Sequence, residues 1–365
     1  MASGDRDHDL EPRLVVVDVD TGTDDAMALL LLLAADAAGE VVLKAVTCVG
    51  GNTGLGNVCR NTLRLLRAAN RLDVPVFAGA EGPLVAERPI TNTYHGVDGF
   101  GDLDHTDFPG DDAELDAALQ EENAVVALNR IVNENPGRVS LVCLAPLTNI
   151  ALAVRTYPAF RGQLRDAHIM GGNTQGLGNT TPAAEFNFGA DPEAAQIVLE
   201  SLACPVQLTP WETCPEHAIP LEWRLETLPA LGAGGLALQL LTAADRAVNL
   251  SKAKTLWTCC DQLAVAALLR PGLVLRTLRR HLTVELAGSR TRGQAVPACV
   301  CRGGQCPPAC AGPDRRLNAG APPATILDGF DVDAFKELLV WAAARWTRPP
   351  RAPEGADDAD DAAGP

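Results

Sequence analysis

Short runs of β-branched and other apolar residues alternate along the chain with longer segments of helical character. The first run, at 14–17, predicts a buried strand, and 24–35 reads as the helix that follows it. Further strands are predicted at 41–46, 74–77, 139–144, 167–170 and 206–208, and further helices at 58–69, 124–135, 149–154 and 192–201. Such alternation is typical of helices packed on a parallel sheet. The pattern therefore predicts a single α/β domain with a mostly parallel, Rossmann-like open sheet flanked by helices.

The outer parts of the chain differ in composition from this central pattern. Residues 1–13 are mostly polar and predict a flexible N-terminus, and 348–365 are Pro, Ala and Asp with no core-forming pattern, which predicts a disordered acidic tail. The segment 299–323 is rich in Cys and Pro and predicts an irregular loop. Because no internal repeat or Gly/Ser linker divides the rest, we expect residues 14–347 to form one domain.

The overall charge narrows the range of partners. The 365 residues include 30 Lys and Arg against 46 Asp and Glu, a net charge of −16. An acidic surface repels phosphate backbones and anionic membranes, so neither nucleic acid nor membrane is expected as a partner. No apolar run is long enough to span a bilayer, and the N-terminus lacks a secretory pattern. We therefore expect a cytoplasmic protein whose 11 Cys are mostly thiols.

The densest chemical signal lies directly after the first strand, where Asp18, Asp20, Asp24 and Asp25 place four carboxylates in eight residues. These charges repel one another unless a cation or a helix N-terminus compensates them. Oxygen-only ligands favour a hard cation such as Ca²⁺ or Mg²⁺ over zinc. The carboxyl ends of strands in open α/β sheets are also where ligands bind.

Two other interpretations of this acidic segment remain open at this point. It could be a solvated turn in which Asp24 and Asp25 only cap the following helix. It could also belong to an aspartate-nucleophile phosphohydrolase, with Asp18 as the nucleophile. That class expects Thr or Val two residues after the second Asp, whereas Gly22 stands there and two further acids follow.

Several segments, in order, resemble the inosine–uridine-preferring nucleoside hydrolases. Residues 18–26 match the family's Asp-x-Asp-Pro-Gly-x-Asp-Asp-Ala motif, with Thr21 in place of Pro. The further matches are Val-Gly-Gly-Asn at 49–52, His-Gly-Val-Asp-Gly-Phe-Gly at 95–101, Pro-Leu-Thr-Asn-Ile-Ala at 146–151, Met-Gly-Gly-Asn at 170–173, the segment 179–187, Asp-Pro-Glu-Ala at 191–194, and Thr-Arg-Gly-Gln at 291–294, which resembles a late strand of the family. The resemblance covers about residues 14–345, and agreement of several independent motifs is specific.

The resemblance implies calcium-dependent hydrolysis of the N-glycosidic bond of ribonucleosides to ribose and free base, in nucleoside salvage or breakdown. It implies that Ca²⁺ is held by the side chains of Asp20, Asp25 and Asp261 and by the backbone carbonyl of Leu144. Asp20 would also be the general base toward a calcium-bound water. The implied ribose-hydroxyl ligands are Asp24, Asn52 and Asn187, and the implied 5′-hydroxyl ligands are Asn179 and Glu185.

The leaving base is where the chain departs from the common family pattern. Many relatives carry His immediately before the calcium-binding aspartate, but Cys260 stands there. Cys260 is thus a candidate proton donor to a departing purine, or a packing residue only, and His95 is a second candidate near the base. A thiol is a weak donor, and neighbouring carboxylates disfavour its thiolate further. Cys299, Cys301, Cys306 and Cys310 form a cluster foreign to the family; their spacing favours a thiol-rich loop over a zinc site.

Three functions remain after this comparison. The first is the ribonucleoside hydrolase, the second is a catalytically weak relative that binds calcium and nucleoside, and the third is the phosphohydrolase. The resemblance also implies self-association as a homodimer or homotetramer. Base preference does not follow from the sequence.

Overall fold

Eight strands form a central sheet with helices packed on both faces, in a computed structural model that describes residues 11–86, 93–104, 111–232, 235–297 and 321–346. The strands of this sheet are β1 (Arg13–Val19), β2 (Val41–Cys48), β3 (Val76–Ala78), β4 (Val139–Cys143), β5 (Leu164–Met170), β6 (Val206–Thr209), β9 (Val274–Arg280) and β12 (Ala324–Phe330). Two small two-stranded sheets pair β7 (Ile219–Pro220) with β8 (Leu256–Trp257), and β10 (Leu282–Val284) with β11 (Ala295–Pro297).

Most of the helices lie between successive strands, and α12 follows the last strand. They are α1 (Thr23–Ala37), α2 (Leu55–Ala68), α3 (Asp112–Ala118), α4 (Ala124–Glu134), α5 (Thr148–Thr156), α6 (Phe186–Ala190), α7 (Pro192–Ser201), α8 (Thr213–Glu216), α9 (Leu228–Leu231), α10 (Leu236–Leu250), α11 (Asp261–Leu269) and α12 (Val332–Ala343). Short 3₁₀ turns occupy Phe160–Gly162 and Pro271–Leu273, and a π-helix spans Trp223–Thr227. Every strand and helix predicted from the sequence is present, with ends that differ by a few residues.

The order of strands across the sheet is β3-β2-β1-β4-β5-β6-β12-β9, and every neighbouring pair is parallel except β12 with β9. The chain winds outward in one direction from β1 to β3 and in the other from β4 onward. The direction therefore reverses between β1 and β4. In an open α/β sheet, the crevice at the carboxyl ends of such a pair is the expected ligand site. The mostly parallel open sheet predicted from the sequence is confirmed.

The first helix lies deepest in the molecule, because it is apolar on nearly every side. Twelve of its fifteen residues are buried, including the run 29–33, and it packs against α10, α11 and α12. A helix that is apolar all round belongs in a core. Its only acids in the first turn are Asp24 and Asp25, where the partial positive charge of the N-terminus favours them. Burial of α1 thus fixes where these two carboxylates emerge.

Two features of the carboxyl-terminal third differ from the sequence reading. The segment 291–294, matched to a late strand of the family, is a turn: the N–H of Gln294 donates to the carbonyl of Thr291 at 2.9 Å, and Gly293 has φ of 86°. Glycine is the residue that adopts this left-handed conformation without strain, and β11 begins only at Ala295. Strands β9 and β12 were not predicted, and β9 is exposed along five of its seven residues, as an edge strand can be.

Several predictions lie outside the described residues. These include the flexible start at 1–10, the Cys299, Cys301, Cys306 and Cys310 cluster, and the acidic tail at 348–365. The division into a domain at 14–347 and two flexible ends therefore stays a prediction. Within the described ranges, no helix combines the length and apolar character needed to cross a bilayer.

Candidate active site

The acidic segment of the sequence is the connection between β1 and α1, at the point where the winding of the sheet reverses. Asp25 is the third residue of α1, and its carboxylate folds back to accept hydrogen bonds from the backbone N–H of Gly22 at 2.9 Å and of Asp20 at 3.2 Å. The bond from Gly22, the N-cap of α1, satisfies a donor that a helix N-terminus leaves unpaired, and the bond from Asp20 holds the preceding turn. The local sequence therefore caps the helix and at the same time brings the carboxylates together.

Three carboxylates converge at this point and could hold a metal ion. Asp24, Asp25 and Asp261 each offer an oxygen, and the three oxygens lie within 4.8 Å of one another. Asp261 comes from a distant part of the chain, at the first position of α11. Burial and then the charges of Asp24 and Asp25 hold the pKa of Asp261 well above its usual range. A cation would relieve this repulsion.

Asp20 lies beside this group without being one of its three members. Its Oδ2 accepts a hydrogen bond from the N–H of Asn52 at 2.8 Å, and no donor in the described part of the chain reaches its buried Oδ1. Burial is the main reason that the pKa of Asp20 is raised, and the charge of Asp24 adds to it. Gly51 is required for this approach, because a Cβ there would meet Oδ2 of Asp20 at 2.1 Å.

Asp18 points away from the cluster and is fully buried. Its Oδ1 accepts hydrogen bonds from the hydroxyl of Thr47 at 2.6 Å and from the side-chain amide of Asn149 at 2.9 Å. Burial raises the pKa of Asp18 to about 7. A nucleophile must reach its substrate, and Asp18 does not. Its position explains the Asn149 match in the sequence as a support beneath the site, and it argues against the phosphohydrolase interpretation.

The carbonyl of Leu144 faces the same place from the end of β4. The side-chain amide of Asn187 donates to this carbonyl at 2.9 Å and to the carbonyl of Met170 at 3.2 Å. A carbonyl oxygen has two lone pairs, so that of Leu144 can still bind a cation. Asn187 is held at the start of α6 by Glu185, whose carboxylate accepts the N–H of Asn187 at 2.9 Å.

A cavity of about 790 Å³ opens above these groups. Its volume lies within the range of small-molecule sites. Nine of the eleven site residues named from the sequence line it: Asp24, Asn52, His95, Leu144, Asn179, Glu185, Asn187, Cys260 and Asp261. The other two, Asp20 and Asp25, are each only 1% exposed and adjoin it through the carboxylate cluster. The structure therefore brings together residues that are up to 241 positions apart in the chain.

Glu185 is the most strongly engaged of the polar residues that line the cavity. Its carboxylate also accepts the N–H of Gly172 at 2.7 Å and of Phe188 at 3.1 Å. Burial raises the pKa of Glu185 to about 7, against the lowering effect of these backbone donors. Asn179 is more exposed, and its N–H donates to the carbonyl of Ala184.

His95 reaches the cluster from the segment 93–104. Its Nε2 lies 3.3 Å from Oδ1 of Asp24, and its Nδ1 accepts the N–H of Thr23 at 3.2 Å. The ring is almost wholly buried against the N-terminus of α1, since a Cβ on Gly22 would meet it at 2.9 Å. His95 is thus a fixed neighbour of Asp24; its position near the leaving base, which the resemblance suggested, stays a prediction.

Cys260 lines the cavity directly beside Asp261. Contact with the thiol of Cys214, then burial, then the charges of Asp24 and Glu185 hold the pKa of the Cys260 thiol well above its usual range. The expectation that neighbouring carboxylates disfavour the thiolate agrees with this direction. Whether Cys260 donates a proton stays a prediction.

The cavity also contains residues that sequence reasoning did not place in it. Tyr94, Trp211, Lys254 and Thr258 belong to the wall. Trp257 is not part of the wall; it is 3% exposed and lies under the guanidinium of Arg224 at 5.3 Å. Tyr94 adjoins His95 in the sequence, and Thr258 and Lys254 precede Asp261, so proximity to recognised residues was the available signal.

The site has clustered carboxylates below a small-molecule cavity, and it lies at the switch point of an open α/β sheet. This arrangement is that of an enzyme whose active site is able to hold a metal ion. Residues 15–337 match the family model described as inosine-uridine preferring nucleoside hydrolase, and the chain belongs to this family. The family and the enzyme class expected from the sequence, a ribonucleoside hydrolase, are confirmed.

Individual relatives resemble the chain over nearly its whole length. The pyrimidine-specific ribonucleoside hydrolase RihA of Enterobacter sp. (strain 638) is 35% identical over 338 residues, which are 91% of this chain and 98% of that protein. Among solved structures, the plant nucleoside hydrolase PpNRh1 has a TM-score of 0.78 at 27% identity, covering 91% of this chain and 99% of the plant protein. An inosine-guanosine nucleoside hydrolase has a TM-score of 0.77 at 29% identity, covering 91% of this chain and 98% of that protein.

Proposed function

We propose that this enzyme hydrolyses the N-glycosidic bond of ribonucleosides to ribose and free base, with one Ca²⁺ at the carboxylate cluster. The observation that carries the proposal is the position of the cluster, which adjoins a cavity lined by amide and carboxylate side chains suited to sugar hydroxyls. Oxygen-only ligands favour calcium or magnesium over transition metals, and calcium accepts the irregular, carbonyl-containing sets that proteins offer.

We propose Asp20, Asp25, Asp261 and the carbonyl of Leu144 as the calcium ligands. The buried Oδ1 of Asp20, which no described donor reaches, supports this choice. Of the four aspartates at the site, Asp24 has the most exposed side chain, at 23%, whereas the other three are almost fully buried. Its Oδ1 faces His95. Asp24 is therefore the member left to meet a sugar hydroxyl. Calcium bound by these ligands would supply a positive charge that makes a neighbouring water easier to deprotonate.

We assign the general base to Asp20. Its carboxylate is held beside the cluster by the N–H of Asn52, a position from which it could accept a proton from the attacking water. As that water attacks C1′ of the ribose, the bond to the base breaks and its electron pair leaves with the base. Positive charge builds on the sugar in the transition state, and nearby carboxylates stabilise it.

The remaining polar residues would orient the ribose. We propose that Asp24, Asn52 and Asn187 bind the 2′- and 3′-hydroxyls and that Asn179 and Glu185 bind the 5′-hydroxyl. The buried amide of Asn52 lies 3.4 Å from Oδ2 of Asp25, which puts it at the edge of the carboxylate cluster. Clamping both hydroxyls of a cis-diol fixes the reacting carbon, so ribose should be favoured over deoxyribose.

The names of the relatives bear on which nucleobase the substrate carries. RihA is named for pyrimidine specificity, whereas one solved relative is named for inosine and guanosine. The higher identity to RihA favours pyrimidine ribonucleosides as substrates of this chain. Cytoplasmic nucleoside salvage and a homodimeric or homotetrameric state also stay predictions, which cell fractionation and light scattering of the purified protein would check.

Release of ribose tests the proposal. Purified protein would be incubated with uridine, cytidine, inosine, adenosine and 2′-deoxyuridine, with and without a calcium chelator. We expect ribose release from at least one ribonucleoside, little from the deoxynucleoside, and recovery of chelated enzyme by calcium. Nucleoside binding without any release would instead identify the catalytically weak relative.

The metal assignment has a test that does not depend on turnover. Calorimetric titration with calcium should show weakened binding for Asp25→Asn and Asp261→Asn, and near-normal binding for Asp24→Asn. Asp24 is the matched control, because it lies in the same cluster and carries the same charge. If Asp24→Asn loses calcium as fully as Asp25→Asn does, Asp24 is a ligand and its assignment to the sugar is wrong.

A further inference from the structure

One side chain gives the acidic cavity an unopposed positive charge. Lys254 is the sole Lys or Arg on the cavity wall among the described residues. Lys254 is exposed to solvent, and in the described part of the chain its ammonium takes part in no ion pair or side-chain hydrogen bond; its one side-chain contact is with the ring of Tyr94. The other wall residues with charge are acids, apart from His95. An ammonium in this setting has donors available for a ligand.

The backbone presents this ammonium from a tight turn after α10. The N–H of Lys254 donates to the carbonyl of Asn249 at 3.1 Å, and Ala253 has φ of 51°. The neighbouring Lys252 is used differently: its ammonium donates to the carbonyl of Tyr94 at 2.6 Å and to that of Val248 at 2.9 Å. Lys252 therefore ties the segment 93–104 to the turn, and Lys254 is left facing the cavity.

Tyr94 connects this lysine to the reaction centre. Its ring centroid lies 6.0 Å from the ammonium of Lys254, and the ring packs edge-on against His95 at 4.9 Å. Burial, followed by the negative charge of Asp24, raises the pKa of the Tyr94 phenol. Tyr94 thus lies among the carboxylates, His95 and Lys254, and remains neutral. A nucleobase that departs from a ribose bound at the carboxylates would lie beside Tyr94 and Lys254.

We propose that Lys254 contacts the departing base and stabilises the negative charge that the base acquires as its bond to the sugar breaks. The inference rests on the proposed function and names a residue for the half of the reaction that the carboxylates cannot assist. The electron pair of the C1′–N bond goes to the base, and in uracil the resulting charge spreads onto carbonyl oxygens. An ammonium donates to such oxygens, and a proton from solvent later neutralises the free base.

The test compares leaving groups that need different amounts of help. Lys254→Met would be assayed with uridine, with 5-fluorouridine, whose base anion is more stable, and with nitrophenyl riboside, whose leaving group is stable unaided. We expect kcat/KM to fall about tenfold on uridine, less on 5-fluorouridine and least on the riboside. Lys254→Arg should restore most of the loss. Lys336→Met, which removes a distant lysine bonded to Asp333, is the charge-matched control and should behave as wild type.

Equal losses on all three substrates would show a structural role, and no loss on uridine would remove Lys254 from the reaction; either result overturns the proposal. A binding measurement separates this from failure of the proposed function. Barbiturate, a pyrimidine that is anionic at neutral pH, should bind Lys254→Met about tenfold more weakly than wild type, whereas neutral uracil should be affected less. If wild type hydrolyses none of the ribonucleosides, the proposed function fails, and the barbiturate comparison still decides the role of Lys254.

Discussion

His95 and Asp24 form a pair in which Nε2 of the ring lies 3.3 Å from Oδ1 of the carboxylate. The other ring nitrogen accepts the N–H of Thr23 at 3.2 Å. A backbone N–H can only donate, so Nδ1 is the acceptor and the ring proton lies on Nε2, directed at Asp24. The sequence suggested His95 as a group near the leaving base. The geometry makes it first a support that fixes the orientation of Asp24.

This difference predicts how a His95 variant behaves. His95→Phe keeps a ring in the same space but removes both nitrogen contacts. If His95 orients Asp24, kcat/KM should fall about 10- to 100-fold, because a displaced sugar ligand slows the reaction whatever the leaving group is. The fall should be the same for uridine and for nitrophenyl riboside. A loss confined to uridine would show instead that His95 assists departure of the base.

Two aspartates in the first motif should respond oppositely to the same change. Asp20→Asn removes the proposed base and a calcium ligand, and we expect at least a thousandfold loss of turnover. Asp18→Asn keeps an oxygen able to accept from Thr47 and Asn149, so turnover should stay within about tenfold of wild type. Steady-state kinetics on uridine, with melting curves as the folding control, measures both. An Asp18→Asn enzyme as inactive as Asp20→Asn, with an unchanged melting temperature, would contradict the role of Asp18 as a support beneath the site.

The parts of the fold that could be predicted are those with a local signal. Buried parallel strands read as continuous apolar runs, and α1 follows from its unbroken stretch of Ala and Leu. Strand β9 carries no such signal, because an exposed edge strand with three Arg has neither an apolar run nor a clean alternation. The turn at 291–294 was misread because a motif match carries no information about φ, and Gly293 makes the bend possible.

The candidate site divides in the same way. The carboxylates and the sugar-side amides belong to motifs with fixed spacing, and the sequence named them. Lys254 and Tyr94 belong to no motif; they lie in distant segments of the chain that the bond from Lys252 to the carbonyl of Tyr94 joins. The grouping of Asp24 with Asp25 and Asp261 is likewise a property of the assembled helix N-termini and could not be read from spacing alone.

The stability of the calcium-free protein should fall as pH rises from about 4 to 8. Burial raises the pKa of both Asp18 and Glu185 to about 7, above the range of an unfolded carboxyl. At a pH between the carboxyl pKa of the unfolded chain and that of the folded chain, the folded chain binds protons that the unfolded chain has released. The free energy of unfolding therefore decreases as pH increases through this window. For Asp18 alone, this lowers the free energy of unfolding by roughly 4 kcal/mol across the whole window.

Melting temperatures measured in chelator from pH 5 to 8 check this sign. Wild type should melt at progressively lower temperature, and Asp18→Asn and Glu185→Gln should each show a flatter dependence, since neither amide titrates. A melting temperature that rises across this range, or identical slopes for all three proteins, would contradict the assignment of raised pKa values to these two carboxyls.

Cys260 offers the last prediction, because the resemblance made it a candidate proton donor to a departing base. Its thiol lies against Cys214, and this contact together with burial keeps its pKa raised, so the thiol is protonated at neutral pH but is a poor acid. We therefore expect Cys260→Ala to change turnover by less than about threefold on inosine and on nitrophenyl riboside alike. Cys204→Ala, which removes a buried thiol away from the cavity, controls for loss of packing. A loss of tenfold or more on inosine alone would show that Cys260 protonates the base, as the sequence suggested, and that proximity to the leaving group outweighs its weak acidity.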